Sequence, residues 1–103
     1  MICRVSVYGF GSAFTGTKFA NDVDLLIVHH STKSESCQFA IACKRRLTEC
    51  VSRAHITMLS RREERHYQFI KTARPVHLGI ISEDNLDRDI AVLIEAIPKC
   101  LMP

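Results

Sequence analysis

The amino-acid sequence predicts an α/β fold of the α+β kind, in which helices pack against a mixed four-stranded sheet. Four short runs rich in β-branched and aromatic residues alternate with segments of helical period. Apolar residues make up 47% of the 103 residues and charged residues 24%, as in ordinary globular domains. Since the chain has no internal repeat, low-complexity stretch or linker, we expect residues 1–103 to form one domain.

The first two strands are predicted over residues 4–10 and 23–28, on either side of a loop that has room for a short helix. The first run ends in Gly9 and Gly11, which indicates a tight turn. The second run is apolar at consecutive positions, which is typical of a central strand covered on both faces. After it, His29 and His30 point to opposite faces and are predicted to be solvated loop residues rather than ligands of one ion.

The rest of the chain alternates between helix and strand. An amphipathic helix is predicted over 35–51, a strand over 54–59, a helix over 61–73 and a strand over 76–81. Ser60 and Glu63 have the spacing of a capping box at the start of the second helix. The last helix is predicted from Ser82 to the residue before Pro98. The apolar stripe expected on the first helix comprises Cys37, Ala40, Ile41, Leu47, Cys50 and Val51.

Charge and cysteine content favour a cytoplasmic protein. The net charge of +3 suits a ligand that carries phosphate, and the basic cluster of residues 44–46 is expected to be a solvated face. The five cysteines form no C-x-x-C pair and are odd in number, so we expect reduced, mostly buried thiols. An export signal and a membrane-spanning run are both missing from the sequence, so we expect no membrane partner.

The loop between the first two strands carries the candidate functional residues. Gly11 and Ser12 enter it, and a backbone without a Cβ beside a hydroxyl suits close approach of phosphate. Lys18 supplies a cation within reach of such a phosphate. Asp22 and Asp24 leave the loop two positions apart, so their side chains share one strand face. Two carboxylates this close repel unless a cation lies between them, which predicts a site for a hard divalent ion such as Mg²⁺.

Gly11-Ser12, nine further residues and Asp22-Val23-Asp24 between apolar flanks resemble the signature of the nucleotidyltransferase superfamily that includes DNA polymerase beta. The small single-domain members, the minimal nucleotidyltransferases, are the most similar. The resemblance implies a nucleotidyltransferase-like fold, phosphate contacts at Gly11 and Ser12, and two Mg²⁺ ions on Asp22 and Asp24. It also implies transfer of a nucleoside monophosphate from a nucleoside triphosphate to a hydroxyl of a protein, an RNA or a small molecule.

One position departs from the family pattern. Active members usually carry a third carboxylate on the strand after the first long helix, where this sequence has His55. A neutral imidazole can bind a metal or accept a proton, but it supplies no negative charge. A shift of the alignment would bring Glu63 or Glu64 into the site instead, although the capping box explains Glu63 better.

Three hypotheses about function follow. The chain is a magnesium-dependent nucleotidyltransferase with Asp22, Asp24 and His55 at its catalytic centre, or it is a nucleotide- and metal-binding protein with little turnover. In the second case it pairs with a partner as an antitoxin-type protein. The third hypothesis is an interaction domain without a nucleotide site, in which Gly11 and Ser12 form an ordinary turn. Because so short a chain holds no separate acceptor-binding domain, we expect a partner chain or an oligomer.

Overall fold

The structure, a computed structural model, describes residues 2–14 and 22–97 and confirms the predicted fold class. Its sheet consists of β1 (Arg4–Phe10), β2 (Val23–His29), β3 (Ala54–Ser60) and β4 (Val76–Ser82). Its helices are α1 (Ser34–Cys50), α2 (Arg61–Tyr67), α3 (Phe69–Ala73) and α4 (Leu86–Glu95). Short 3₁₀ turns lie at Ser12–Phe14 and Glu83–Asn85.

The four strands form one mixed sheet in the order β3-β2-β1-β4. β1 pairs antiparallel with β2 and with β4, whereas β2 and β3 are parallel. A parallel pair needs a crossover connection, which α1 provides. β1 and β2 are therefore the central strands, and β3 and β4 are the edges.

One face of the sheet forms the main core with α1 and α4. Val7 of β1 and Leu25 of β2 are fully buried there against Leu47 of α1 and Leu93 of α4. Leu26 of β2 points to the opposite face and is also fully buried, which confirms that β2 is covered on both sides. Removing each such side chain from water stabilises the fold by about 1.5–3 kcal/mol, so α1 and α4 hold the sheet firmly.

The stripe by which α1 packs on the sheet differs from the predicted one. Ala40, Leu47 and Val51 are buried as expected, but Ile41 is 46% exposed and Cys50 lies on the surface. Phe39 and Cys43 face the core instead. Positions 36, 39, 40, 43 and 47 follow one face of a helix more closely than the predicted set, which spreads around the axis.

The predicted helix over 61–73 is wrong in one respect, because it breaks at Gln68. This residue is left-handed (φ 51°, ψ 41°), and it ends α2 and precedes α3. The Glu64 carboxylate accepts a hydrogen bond from the Ile70 N–H (3.2 Å) and so satisfies a backbone donor at the new helix start. A side chain that bonds the backbone in this way competes with a continuous helix.

The capping box at the start of α2 is confirmed. The Ser60 hydroxyl accepts from the Glu63 N–H (3.1 Å), and the Glu63 carboxylate accepts from the Ser60 N–H (3.0 Å). Hydrogen bonds from the Ser60 backbone and then from its hydroxyl lower the pKa of Glu63 below its ordinary value.

Glu63→Gln is expected to make the stability of the fold less dependent on pH in acid. A carboxyl whose pKa is lower in the folded state stabilises it above the unfolded pKa, and that contribution disappears as the pH falls through the folded pKa. Glutamine keeps the capping hydrogen bond but does not titrate. Urea unfolding on both sides of the unperturbed glutamate pKa of about 4.3 measures this, with Glu49→Gln as the control for an exposed glutamate. Equal pH dependence in Glu63→Gln and the wild type would contradict the capping role of the charge.

The prediction that His29 is a solvated loop residue is wrong. β2 extends through His29, which is 6% exposed rather than solvated. Its Nδ1 lies 2.8 Å from the Ser31 carbonyl oxygen and 3.5 Å from Ser36 Oγ at the start of α1. His30 is exposed as predicted. Polar partners from the following turn and helix satisfy the imidazole, which is why a histidine can end this buried strand.

The cysteines are free thiols in the described part of the chain, but most are not buried. Cys43 is buried, and burial raises the pKa of its thiol to about 12. Cys3 and Cys37 are half-buried, and Cys50 is exposed. Cys3 precedes β1 and packs against the margin of the core, and Cys37 lies in the first turn of α1.

The last helix begins later than predicted. β4 continues through Ser82, and a 3₁₀ turn over Glu83–Asn85 precedes α4. The Ser82 N–H donates to the Asp89 carboxylate (2.9 Å), which ties the end of the strand to the helix. Ile90 and Leu93 of α4 are buried in the core. Within residues 2–14 and 22–97, no helix combines the length and the apolar character that crossing a membrane requires.

Candidate functional site

The candidate residues meet at one end of the sheet, where β1 ends and both β2 and β3 begin. Phe10 lies opposite Asp24 in the β1/β2 pairing, and Asp24 lies opposite His55 in the β2/β3 pairing. Residues opposite each other on paired strands point to the same face. Asp24 and His55 therefore share the face that looks away from the core of α1 and α4, since Leu25 next to Asp24 is buried in that core.

Gly11 brings the turn after β1 against the carboxylate of Asp24. Its φ of 79° lies in the left-handed region, and a Cβ added to it would lie 2.6 Å from Asp24 Oδ2. A side chain at position 11 would therefore displace the carboxylate and strain the backbone. The Phe14 N–H donates to the Gly11 carbonyl oxygen (3.1 Å), which closes the turn. The predicted proximity of the glycine turn and the acidic pair is present for Gly11 and Asp24.

Phe14 holds this turn on the sheet through a second glycine. The tip of its ring lies directly over Gly9, where an added Cβ would overlap the ring atoms. Ser12 occupies the first position of the 3₁₀ turn between Gly11 and Phe14. Lys18, the other predicted phosphate ligand, lies outside the described residues, so its role stays a prediction.

Asp22 and His55 form an exposed pair beside this turn. Asp22 precedes β2, and its Oδ1 lies 3.4 Å from Nε2 of His55, with side chains 51% and 66% exposed respectively. The next residue, Val23, donates its N–H to the carbonyl oxygen of Arg53 (3.0 Å), which brings the start of β2 beside the start of β3. An ion pair this exposed stabilises the fold by only about 0–1 kcal/mol, and only when the imidazole is protonated. The contact therefore places an imidazole at the acidic pair rather than stabilising the fold.

Glu63 and Glu64 do not reach this end of the sheet. They follow Ser60, at the opposite end of β3 from His55, and their carboxylates accept the backbone hydrogen bonds of the capping box and of Ile70. The alternative in which one of them supplies a third carboxylate is wrong. The residue of β3 that lies at the acidic pair is His55.

The donor set decides which kind of metal site fits. Among residues 2–14 and 22–97, no three His, Cys, Asp or Glu side chains are grouped so that they could hold an ion. Mg²⁺ is commonly bound by one or two carboxylates together with substrate phosphates, and it retains several waters. Asp22 and Asp24 fit an ion that is shared with a bound triphosphate, and they do not fit a closed cage made by the protein alone.

Two aromatic residues at this end of the sheet were not predicted as part of the site. Phe10 lies in the same row as Asp24, and its ring packs edge-on against Phe69 of α3 at a centroid distance of 5.0 Å. The available signal was strand alternation, because Gly9 is opposite Leu25 on the core face and the next residue, Phe10, therefore points to the face of Asp24. Phe69 is distant in sequence, and only the tertiary fold brings it to this position.

No family model matches the sequence, and comparisons with curated proteins and with solved structures found no similar protein. The residues and their geometry therefore carry the functional inference.

Proposed function

We propose that the chain is a magnesium-dependent nucleotidyltransferase, which moves a nucleoside monophosphate from a nucleoside triphosphate to a hydroxyl acceptor. The observation that supports this most is the packing of the Asp24 carboxylate against the Gly11 turn. It puts a metal-binding oxygen next to a backbone that lets phosphate approach closely. The free thiols of the described residues suit the reducing cytoplasm, where such substrates are abundant.

Each residue has a task in this proposal. Gly11 and Ser12 contact the triphosphate, and Asp22 and Asp24 hold Mg²⁺. When bound, the metal neutralises charge on the phosphate oxygens. The acceptor hydroxyl oxygen forms a bond to the α-phosphorus as the bond to the leaving pyrophosphate breaks. His55 Nε2 carries the proton that faces the Asp22 carboxylate across the 3.4 Å contact, so the other ring nitrogen, Nδ1, accepts the hydroxyl proton, and Asp22 stabilises the resulting imidazolium.

A second candidate function is nucleotide and metal binding with little turnover. It is favoured by one observation, the presence of His55 at the acidic pair where a third carboxylate would otherwise complete the charge. Loss of a general base typically lowers a rate by about 10²- to 10⁴-fold. A protein of this kind would act through a partner chain.

Calorimetry tests the site that both candidates share. A nonhydrolysable nucleoside triphosphate should bind the wild-type protein with Mg²⁺ and should bind far more weakly with EDTA. The same weak heat in both titrations would reject a nucleotide and metal site. Release of pyrophosphate in the presence of a protein, RNA or small-molecule acceptor then separates the transferase from the binding protein.

If the site turns over slowly for want of a third negative charge, as in the second candidate, His55→Asp should raise nucleotidyl transfer by roughly 10-fold or more, because it adds a third carboxylate beside Asp22 and Asp24. If His55 is the proton acceptor of an active transferase, the same variant should lower it. His55→Asn is the matched control, since asparagine has the same shape without the charge. Pyrophosphate release at saturating Mg²⁺ measures the effect. A fall in activity with both variants would show that the imidazole itself takes part as the proton acceptor, and that added charge does not replace it.

A further inference from the structure

We propose that residues 61–74, which form α2 and α3 and which we call the α2–α3 segment, bind single-stranded nucleic acid. This segment contains five Lys and Arg residues and two Glu residues, so its net charge of +3 equals that of the whole chain. The remaining residues balance to zero. The net positive charge of this protein is thus accounted for by one short part of its sequence, where cations can contact consecutive phosphates.

The cations of the segment are available for a ligand. All five are exposed: Arg61, Arg62, Arg65, Lys71 and Arg74. In the described part of the chain, the ion pairs are Arg46–Asp87 and Asp22–His55, and neither involves the segment. The charges of Glu63 and Glu64 are already included in the net charge of +3, and their carboxylates bond to the backbone N–H groups of Ser60 and Ile70 rather than pairing with these cations.

The arrangement of these cations opposes the stability of α2. Arg61 and Arg65 are four residues apart and Arg62 and Arg65 three apart, spacings at which like charges face each other and destabilise a helix. A helix of seven residues is marginal without such repulsion. The cluster is therefore explained better by a polyanion that it binds than by a contribution to the fold.

An exposed aromatic ring in the segment favours a nucleic acid over other polyanions. Tyr67 at the end of α2 is 64% exposed, and its ring lies edge-on to His66 at 5.1 Å. Aromatic rings beside cations stack on unpaired bases of any sequence. A helix that lies on a membrane would instead present an apolar face. The apolar residues Phe69 and Ile70 do not form such a face, because both are half-buried and the Phe69 ring packs on Phe10.

The segment also leads to the end of the sheet where the candidate site lies. Phe69 contacts Phe10, which is opposite Asp24, and β4 begins just after Arg74 with Val76 paired to Gly9. A strand bound along the segment has one end beside Gly11 and Asp24. If the chain is a nucleotidyltransferase, that end is its acceptor, whereas the binding itself does not depend on the proposed function.

Fluorescence anisotropy with a labelled single-stranded oligoribonucleotide, without Mg²⁺ or nucleotide, tests the proposal. The triple variant Arg61→Gln, Arg62→Gln, Arg65→Gln should bind about tenfold or more weakly, and its salt dependence should fall by roughly 0.7 per phosphate contact removed. The control is Lys44→Gln, Arg45→Gln, Arg88→Gln, which removes the same charge from exposed positions of α1 and α4. Equal weakening by both triple variants would reject a localised site.

Tyr67 provides the second arm of the test. Tyr67→Ala should weaken binding about fivefold or more, and Tyr67→Phe should restore it, because phenylalanine keeps the stacking surface. Thermal unfolding of each variant checks that the fold is retained. Binding to phosphatidylserine vesicles without binding to the oligonucleotide would overturn the proposal in favour of a membrane surface. The triple variant of α2 should still bind a nonhydrolysable nucleoside triphosphate with Mg²⁺, since none of its three residues is assigned to the nucleotide site, so failure of that site and failure of this surface are distinguishable.

Discussion

Asp24→Asn is expected to weaken Mg²⁺-dependent binding of a nucleoside triphosphate by at least about 100-fold. The Asp24 carboxylate lies against Gly11, where a metal bound to it would also face the phosphates held by the turn. Asparagine keeps the size of the side chain but removes the charge that a hard divalent ion requires. Since Asp24 is only half-buried at the start of β2, the fold should tolerate the change.

Calorimetry with a nonhydrolysable triphosphate, with and without Mg²⁺, measures this loss. Asp22→Asn should give a comparable loss, because the proposal assigns the ion to both carboxylates. Glu49→Gln removes one charge from an exposed position on α1, outside the strand ends that form the site, and should bind as the wild type does. Full Mg²⁺-dependent affinity in both aspartate variants would disprove the metal site, whatever the effect on the fold.

Leu47→Ala is expected to destabilise the protein by about 2–5 kcal/mol. Leu47 is fully buried where α1 packs on the sheet, and alanine would leave a cavity there. A domain of this size is typically stable by only about 5–15 kcal/mol, so the loss would be a large share of the total. Urea unfolding at neutral pH gives the free energy of unfolding of both proteins.

Ile41 provides a control on the same helix. It is 46% exposed, although its apolar character had suggested a core position, so Ile41→Ala should cost less than about 1 kcal/mol. Similar losses at positions 41 and 47 would mean that α1 packs with a different face toward the sheet.

The strands of this fold are predictable from sequence because their signal is local. Alternation from Ala54 to Leu59 and the apolar run after Asp24 each identify a strand without knowledge of its neighbours. The capping box is local in the same sense, since it depends on residues three positions apart. These predictions agree with the observed elements to within one or two residues.

The errors lie where particular side-chain contacts decide. Phe39 and Cys43 pack inward in place of Ile41 and Cys50 because the sheet selects one of two similar faces of α1. The break at Gln68 depends on a hydrogen bond from Ile70 to Glu64. His29 is buried because Ser31 and Ser36 fold back onto it. Helix periodicity and composition contain no record of these partners.

The candidate site divides in the same way. Its residues could be named from the sequence, since Gly11, Asp22, Asp24 and His55 all stand at predicted strand ends. Which of these residues lie beside one another could not be predicted, because strand register decides it. Only the pairing of β2 with both β1 and β3 places Asp24 between Phe10 and His55.

The position of β3 at the margin of the sheet has a consequence for selectivity. If the chain is the proposed transferase, a long acceptor can approach the reacting phosphate from the side, because His55 belongs to an edge strand and its side chain is 66% exposed. Bulk water has the same access, and a site that does not exclude water permits hydrolysis of the triphosphate in competition with transfer. Discrimination between water and the true acceptor must then come from binding the acceptor elsewhere on the surface, so hydrolysis should decline as a bound acceptor fills the open side.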